Sequence, residues 1–138
     1  MVQHTTRIAG LAGMMLALLV AIAPASAVGP VKGLSKVGTC AITRVTTVAQ
    51  RLVDGATGKS IPDSGSTVVL ANGVVGVSYD QVPAVNASHP GDRVRTCLFS
   101  LPTNCPKGDD RGRTYRTTNL RTKGQWTLPD SEHFCGGA

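Results

Sequence analysis

The chain is poor in aromatic residues, in histidine and in close cysteine pairs. It has one Trp, two Tyr, two Phe and three His in 138 residues. So few rings exclude a stacking platform for single-stranded nucleic acid: only Tyr115 and Trp126 adjoin its basic stretch. No C-x-x-C pair or Cys/His cluster has the spacing of a zinc site, so no metal and no cofactor is expected. No G-x-S-x-G turn offers an activated serine. Long apolar runs are missing everywhere except at the amino end.

That one run carries an address. Met1–Arg7 is polar with a single positive charge, and Ile8–Ile22 is apolar apart from glycine. Ala25-Ser26-Ala27 follows with small side chains for signal peptidase. The run is 15 residues long, short of the ~20 that a membrane-spanning helix requires. Residues 1–27 therefore read as a signal peptide cleaved after Ala27. The expected product is secreted or periplasmic, with no transmembrane anchor after cleavage. Taking 27 residues from 138 leaves 111 with 13 basic and 8 acidic side chains, a net charge of +5. That is one small domain, too short for a large core. Residues 28–38 read as a mobile lead-in and 39–138 as a single β domain.

All four cysteines, Cys40, Cys97, Cys105 and Cys135, fall in the exported part. An even number in a short exported domain implies two disulfides. Three connectivities are possible. Cys97 sits inside a strand-like run and needs a partner on a facing strand, whereas Cys105 follows a turn. Cys40–Cys97 with Cys105–Cys135 is the favoured pairing, and the other two stay open. Each bridge is worth about 2–4 kcal/mol, comparable to the net stability of so small a core.

Val and Thr make up 27 of the 111 exported residues, and no window has the pattern of a long amphipathic helix. Thr39–Leu52 is β-branched and reads as a strand, although Ile42, Val45, Val48 and Leu52 also fit a helix face. Asn72-Gly73 between two valine-rich runs predicts a two-residue hairpin. That register pairs Ala71 with Val74, Leu70 with Val75 and Val68 with Val77. It puts Leu70, Val75, Val68, Val77 and Tyr79 on the core side and turns Gly76 away. Val82–Ala87 is long enough for one helical turn. Asp92–Leu101 alternates, with Val94, Thr96 and Leu98 on one side and Arg93, Arg95, Cys97 and Phe99 on the other. Thr114–Leu120 and Gln125–Leu128 form a second hairpin around Arg121–Gly124. The fold expected is all-β, a small disulfide-stapled antiparallel barrel or sandwich of about five strands.

Basic charge is densest in Lys107–Lys123, with six basic and two acidic residues. The candidate binding residues are Arg111, Arg113, Tyr115, Arg116, Arg121, Lys123 and Trp126. Arginine grips carboxylates and phosphates bidentately, so the fitting partner is an acidic protein or an anionic glycan of the envelope, and not nucleic acid. The bland alternative is a solvated hairpin face whose Asp109 and Asp110 pair with neighbouring arginines. Exposed pairs of that kind contribute little, so Arg113→Ala and Arg121→Ala are expected to leave folding largely intact. Asp130-Ser131-Glu132-His133 holds the residue types of a catalytic triad, but adjacent residues cannot converge as one, so no catalytic residue is assigned. His89-Pro90-Gly91-Asp92 reads as a turn. Asn86-Ala87-Ser88 is a glycosylation sequon read as chance.

Cys105-Pro106-Lys107-Gly108-Asp109-Asp110-Arg111-Gly112-Arg113, Asn119-Leu120-Arg121-Thr122 and the Cys135-Gly136-Gly137-Ala138 end resemble uncharacterised small exported proteins of proteobacteria. The resemblance covers the C-terminal third and implies export and a disulfide fold, with no activity attached. The expectation is a non-enzymatic binding domain. Its rivals are a small extracytoplasmic hydrolase and a purely structural envelope component.

Overall fold

Six antiparallel strands form one sheet that curls into a half-barrel, in the order β3-β2-β1-β4-β5-β6. The structure is a computed structural model and describes residues 34–137. The signal-peptide reading of 1–27 lies outside those residues. The strands are β1 Cys40–Gln50, β2 Ser66–Leu70, β3 Val75–Ser78, β4 Arg93–Ser100, β5 Thr114–Asn119 and β6 Gln125–Pro129. One helical turn, α1 Pro83–Asn86, joins β3 to β4.

The 11-residue β1 makes the curl possible. Its first half, Cys40–Arg44, pairs with β4, and its second half, Val45–Gln50, pairs with β2. The register slips between Val45 and Thr47, where Thr46 is the extra residue of a bulge. Bulges bend and twist a strand, and this one turns β2 and β3 over the inner face of β4, β5 and β6. The inner face carries Val45, Val68, Leu70, Val74, Val94, Leu98, Tyr115, Trp126 and Leu128, with Val85 of α1 closing one end. Buried polar groups find partners there: the Thr117 hydroxyl donates to Thr96 Oγ1 at 2.9 Å, and Ser66 Oγ accepts the Val82 N–H at 2.9 Å.

Both disulfides follow the favoured pairing, Cys40–Cys97 and Cys105–Cys135. Cys40 and Cys97 are directly opposed on β1 and β4. The second bridge ties the C-terminal segment to the loop after β4. Leu34–Gly38, assigned by sequence to the lead-in, include Leu34 packed against the core and a Gly38 N–H that donates to the Leu98 carbonyl at 2.9 Å.

The first hairpin corrects the register expected from sequence. Observed partners are Val69 with Val75, Val68 with Gly76 and Thr67 with Val77. Leu70 and Val74 close a three-residue loop, Ala71-Asn72-Gly73, with the Val74 carbonyl accepting the Leu70 N–H at 2.8 Å. Of the two turn residues only Gly73 has a positive φ, 83°. Asn72 keeps ordinary backbone geometry and uses Oδ1 to accept the Val74 N–H at 3.3 Å. The loop is the three-residue type with glycine in the left-handed position, not the two-residue type. One added residue reverses the faces of β3, although Val77 remains buried, 8 % exposed. Gly76 therefore faces the core, where an added Cβ would sit 3.0 Å from Val68 and 3.3 Å from Leu128. Tyr79 is exposed. Gly73 still carries the turn, so Gly73→Val is expected to cost about 1 kcal/mol in a denaturant melt, from φ strain alone, since the space around it is open.

Candidate functional site

The basic hairpin chosen from sequence does not gather into one patch. Tyr115 and Trp126 point inward and are core residues. Arg111 pairs with Asp109 through Nε at 2.9 Å and Nη2 at 2.7 Å. Arg113 pairs with Asp110. Lys123 Nζ donates to the Leu120 carbonyl at 2.7 Å. Arg116 stands outward on the strand without a carboxylate, its guanidinium 4.3 Å over the Phe99 ring.

Arg121 is a positioning residue. It grips Asp92 with Nε at 2.6 Å from Oδ1 and Nη2 at 2.7 Å from Oδ2. Nη2 also donates to the Ala87 carbonyl and lies 2.9 Å from His89 Nδ1. Asp92 is only 9 % exposed, and it further accepts from Asn119 Nδ2 and the His89 N–H. The expectation that Arg121→Ala is harmless therefore changes, because the substitution strands a buried carboxylate.

The Arg121 bonds, then the Asn119 amide and the His89 N–H, hold the Asp92 carboxyl well below the usual carboxylate range. Asp109 is held low by Arg111 first and the Gly136 N–H second. A folded-state pKa below the unfolded one contributes stability that is present above the unfolded value of about 3.9 and is lost as pH falls through the folded value. The melting temperature is expected to fall as pH drops from about 5 to 2. Asp92→Asn is expected to flatten that dependence. An equally steep fall in the variant would assign the acid sensitivity elsewhere.

The arginine charge left without a carboxylate partner lies on the outer face of the β1-β4-β5-β6 half of the sheet. Four ion pairs occur among the described residues, and they use Arg51, Arg111, Arg113 and Arg121. The other four described arginines, Arg44, Arg93, Arg95 and Arg116, all point out of this one face. The pairing fixes their layout. Arg44 lies opposite Arg93, Ile42 opposite Arg95, Arg95 opposite Thr118, and Cys97 opposite Arg116. Opposed residues stand about 5 Å apart and diagonal ones about 7–8 Å, so the four charges reinforce one another. No Asp or Glu occupies an outward position of these strands. Ile42, 53 % exposed, and Phe99, 47 % exposed, add apolar contact between the arginines. A depression of about 370 Å³ lies beside the Cys40–Cys97 bridge, lined by Val37, Phe99, Arg95 and Arg116 among others.

Comparison with known proteins finds no family model, no curated protein and no solved structure that matches the chain.

Local structure explains why these arginines turn outward without a carboxylate, Arg44 with one arm on the Gly91 carbonyl at 2.8 Å. In β4 the sequence Arg-Val-Arg-Thr-Cys-Leu-Phe alternates, so burying Val94, Thr96 and Leu98 turns Arg93, Arg95, Cys97 and Phe99 outward. That alternation is legible in sequence. The contribution of Arg44 is not, until β1 is placed beside β4. Ser131 and His133 do not converge: Ser131 Oγ donates to the His133 backbone carbonyl at 2.8 Å, and Asp130 accepts the Gly112 N–H at 2.8 Å. Among the described residues no three His, Cys, Asp or Glu side chains are grouped to hold a metal ion.

Proposed function

We propose that this protein is an exported, non-enzymatic binding domain that captures an anionic partner on the outer face bearing Arg44, Arg93, Arg95 and Arg116. One observation carries the reading: half of the described arginines lack a carboxylate partner, and all of these share one face with no acidic side chain. Like charges placed side by side cost stability. Their concentration is explained by an incoming anion that offsets the repulsion. The two disulfides fit an oxidising extracytoplasmic space, and the leader-like residues 1–27 supply the route there.

Retention on an immobilised polyanion, read as the salt needed for elution, tests the reading. Arg95→Ala with Arg116→Ala is expected to lower the eluting salt clearly and to flatten the salt dependence. Arg111→Ala with Arg113→Ala is expected to change retention less, because those guanidiniums are already engaged. The reverse order would return the site to the Lys107–Lys123 hairpin, and unchanged retention in both would leave the face an ordinary solvated surface.

A further inference from the structure

We infer that the anionic partner is an extended acidic polypeptide segment, which adds as a strand to the open edge of β1 at Cys40–Arg44. This rests on the anionic-partner reading above and names the chemistry of the partner. In the β1–β4 ladder Thr39 and Val45 turn their backbone groups toward β4: the Leu98 N–H reaches the Thr39 carbonyl at 3.0 Å, and the Val45 N–H reaches the Asp92 carbonyl at 2.9 Å. Alternation then turns the N–H and C=O of Cys40, Ile42 and Arg44 the other way. On that side β2 begins its pairing only at Val45. Among the described residues the Ala71 N–H, donating to the Arg44 carbonyl at 2.8 Å, is the last backbone contact before the edge opens.

A groove of about 360 Å³ runs along this edge, lined by Ala41, Ile42, Thr43, Arg44, Ala71, Asn72 and Arg93. Asn72 is 5 % exposed and its Nδ2 has no acceptor among the described residues, a donor beside the groove that a peptide carbonyl or carboxylate would satisfy. An unpaired strand edge offers N–H and C=O at peptide spacing, which is matched by another peptide backbone. Side chains of an added strand alternate. One set would lie beside Ile42, Arg44 and Arg93 and must be acidic there. The other set would lie beside Ala41, Thr43 and Ala71 and must be small or apolar. Self-pairing of two copies is opposed, because it brings Arg44 and Arg93 of each together.

The test uses the full oxidised chain and a synthetic eight-residue peptide of alternating glutamate and valine. Two further peptides carry N-methyl groups on all the valines or all the glutamates. An anionic polysaccharide, alginate, serves as the charge-only probe. Strand addition predicts that one of the two N-methylated peptides binds at least tenfold more weakly. It also predicts that exchange of the Ile42 amide proton slows at least tenfold when the unmodified peptide saturates. Ile42→Pro, which removes an edge-facing donor together with the Ile42 side chain, is expected to weaken the peptide tenfold; the exchange measurement on unaltered protein covers a failure of that variant to fold. Binding of all three peptides alike, or unaltered Ile42 exchange, overturns strand addition. Retention of alginate without peptide binding overturns the peptide while the anion-binding face stands, and failure of both probes removes both readings. A dimer that already protects Ile42 without peptide assigns the edge to a second copy and overturns the proposal.

Discussion

Asn119→Ala is expected to destabilise the domain by about 3 kcal/mol, one of the largest losses available from a single polar side chain here. Asn119 is fully buried at the end of β5, and every hydrogen-bonding arm of its side chain is used. Nδ2 donates to Ser88 Oγ at 2.9 Å and to Asp92 Oδ2 at 2.8 Å. Oδ1 accepts the N–H groups of Arg121 at 2.9 Å and Thr122 at 3.2 Å. Alanine leaves several of these groups short of a partner in a place water reaches poorly, and adds a small void. In a domain this size about 3 kcal/mol lowers the melting temperature by more than about 10 °C. Ser88→Ala, which removes one arm of the same cluster, is the graded control at about 1 kcal/mol. A loss in Asn119→Ala no greater than in Ser88→Ala would mean that Asp92 and Arg121 hold the corner without the amide.

That corner positions the proposed site. Asp92 precedes Arg93, and the Leu120 N–H donates to the Arg93 carbonyl at 2.9 Å. Arg44 Nη1 donates to the Gly91 carbonyl at 2.8 Å. The turn between β5 and β6 and the loop before β4 thus meet around one carboxylate, and the middle of β1 is tied to the same loop through the Gly91 and Asp92 carbonyls. Side chains on a face anchored in this way lose less freedom when a ligand arrives.

Much of the architecture is readable from alternation alone, because a half-buried strand writes a period of two into its sequence. β4 is the plainest case, with its inward and outward sets separated residue by residue. The first hairpin misleads, since Asn72-Gly73 fits two loop lengths. The choice depends on whether the Asn72 side chain or its backbone makes the turn, which neighbours decide. The site was harder to read. Linear charge density points to Lys107–Lys123, yet Asp109 and Asp110 lie in that same stretch and take Arg111 and Arg113 out of play. The free arginines are 44, 93, 95 and 116, scattered along the chain and gathered only by strand pairing. One signal does reach them. Once Cys40 is bridged to Cys97, counting back two residues at a time sets Ile42 against Arg95 and Arg44 against Arg93.

Arg95→Glu with Arg116→Glu is expected to weaken polyanion capture at least about 100-fold at 0.15 M salt, where screening acts over about 8 Å. The two arginines are diagonal neighbours across β4 and β5, beside the depression next to the disulfide. Their spacing is within the screening length, so their fields sum on a bound anion, and reversal turns two attractions into two repulsions. Folding should be little changed. Among the described residues neither side chain makes an ion pair, and Arg116 gives up its stacking on Phe99 and a 3.4 Å bond to Thr127 Oγ1. Reversal lowers the net charge by four, which by itself weakens attraction to any polyanion. Lys59→Glu with Lys107→Glu supplies the matched comparison, since both lysines are exposed loop residues away from the face. That pair changes the net charge equally and is expected to reduce capture by no more than about tenfold through the weaker long-range field. Equal losses in the two double variants would mean that the protein binds anions by total charge and that the sheet face has no special part in it.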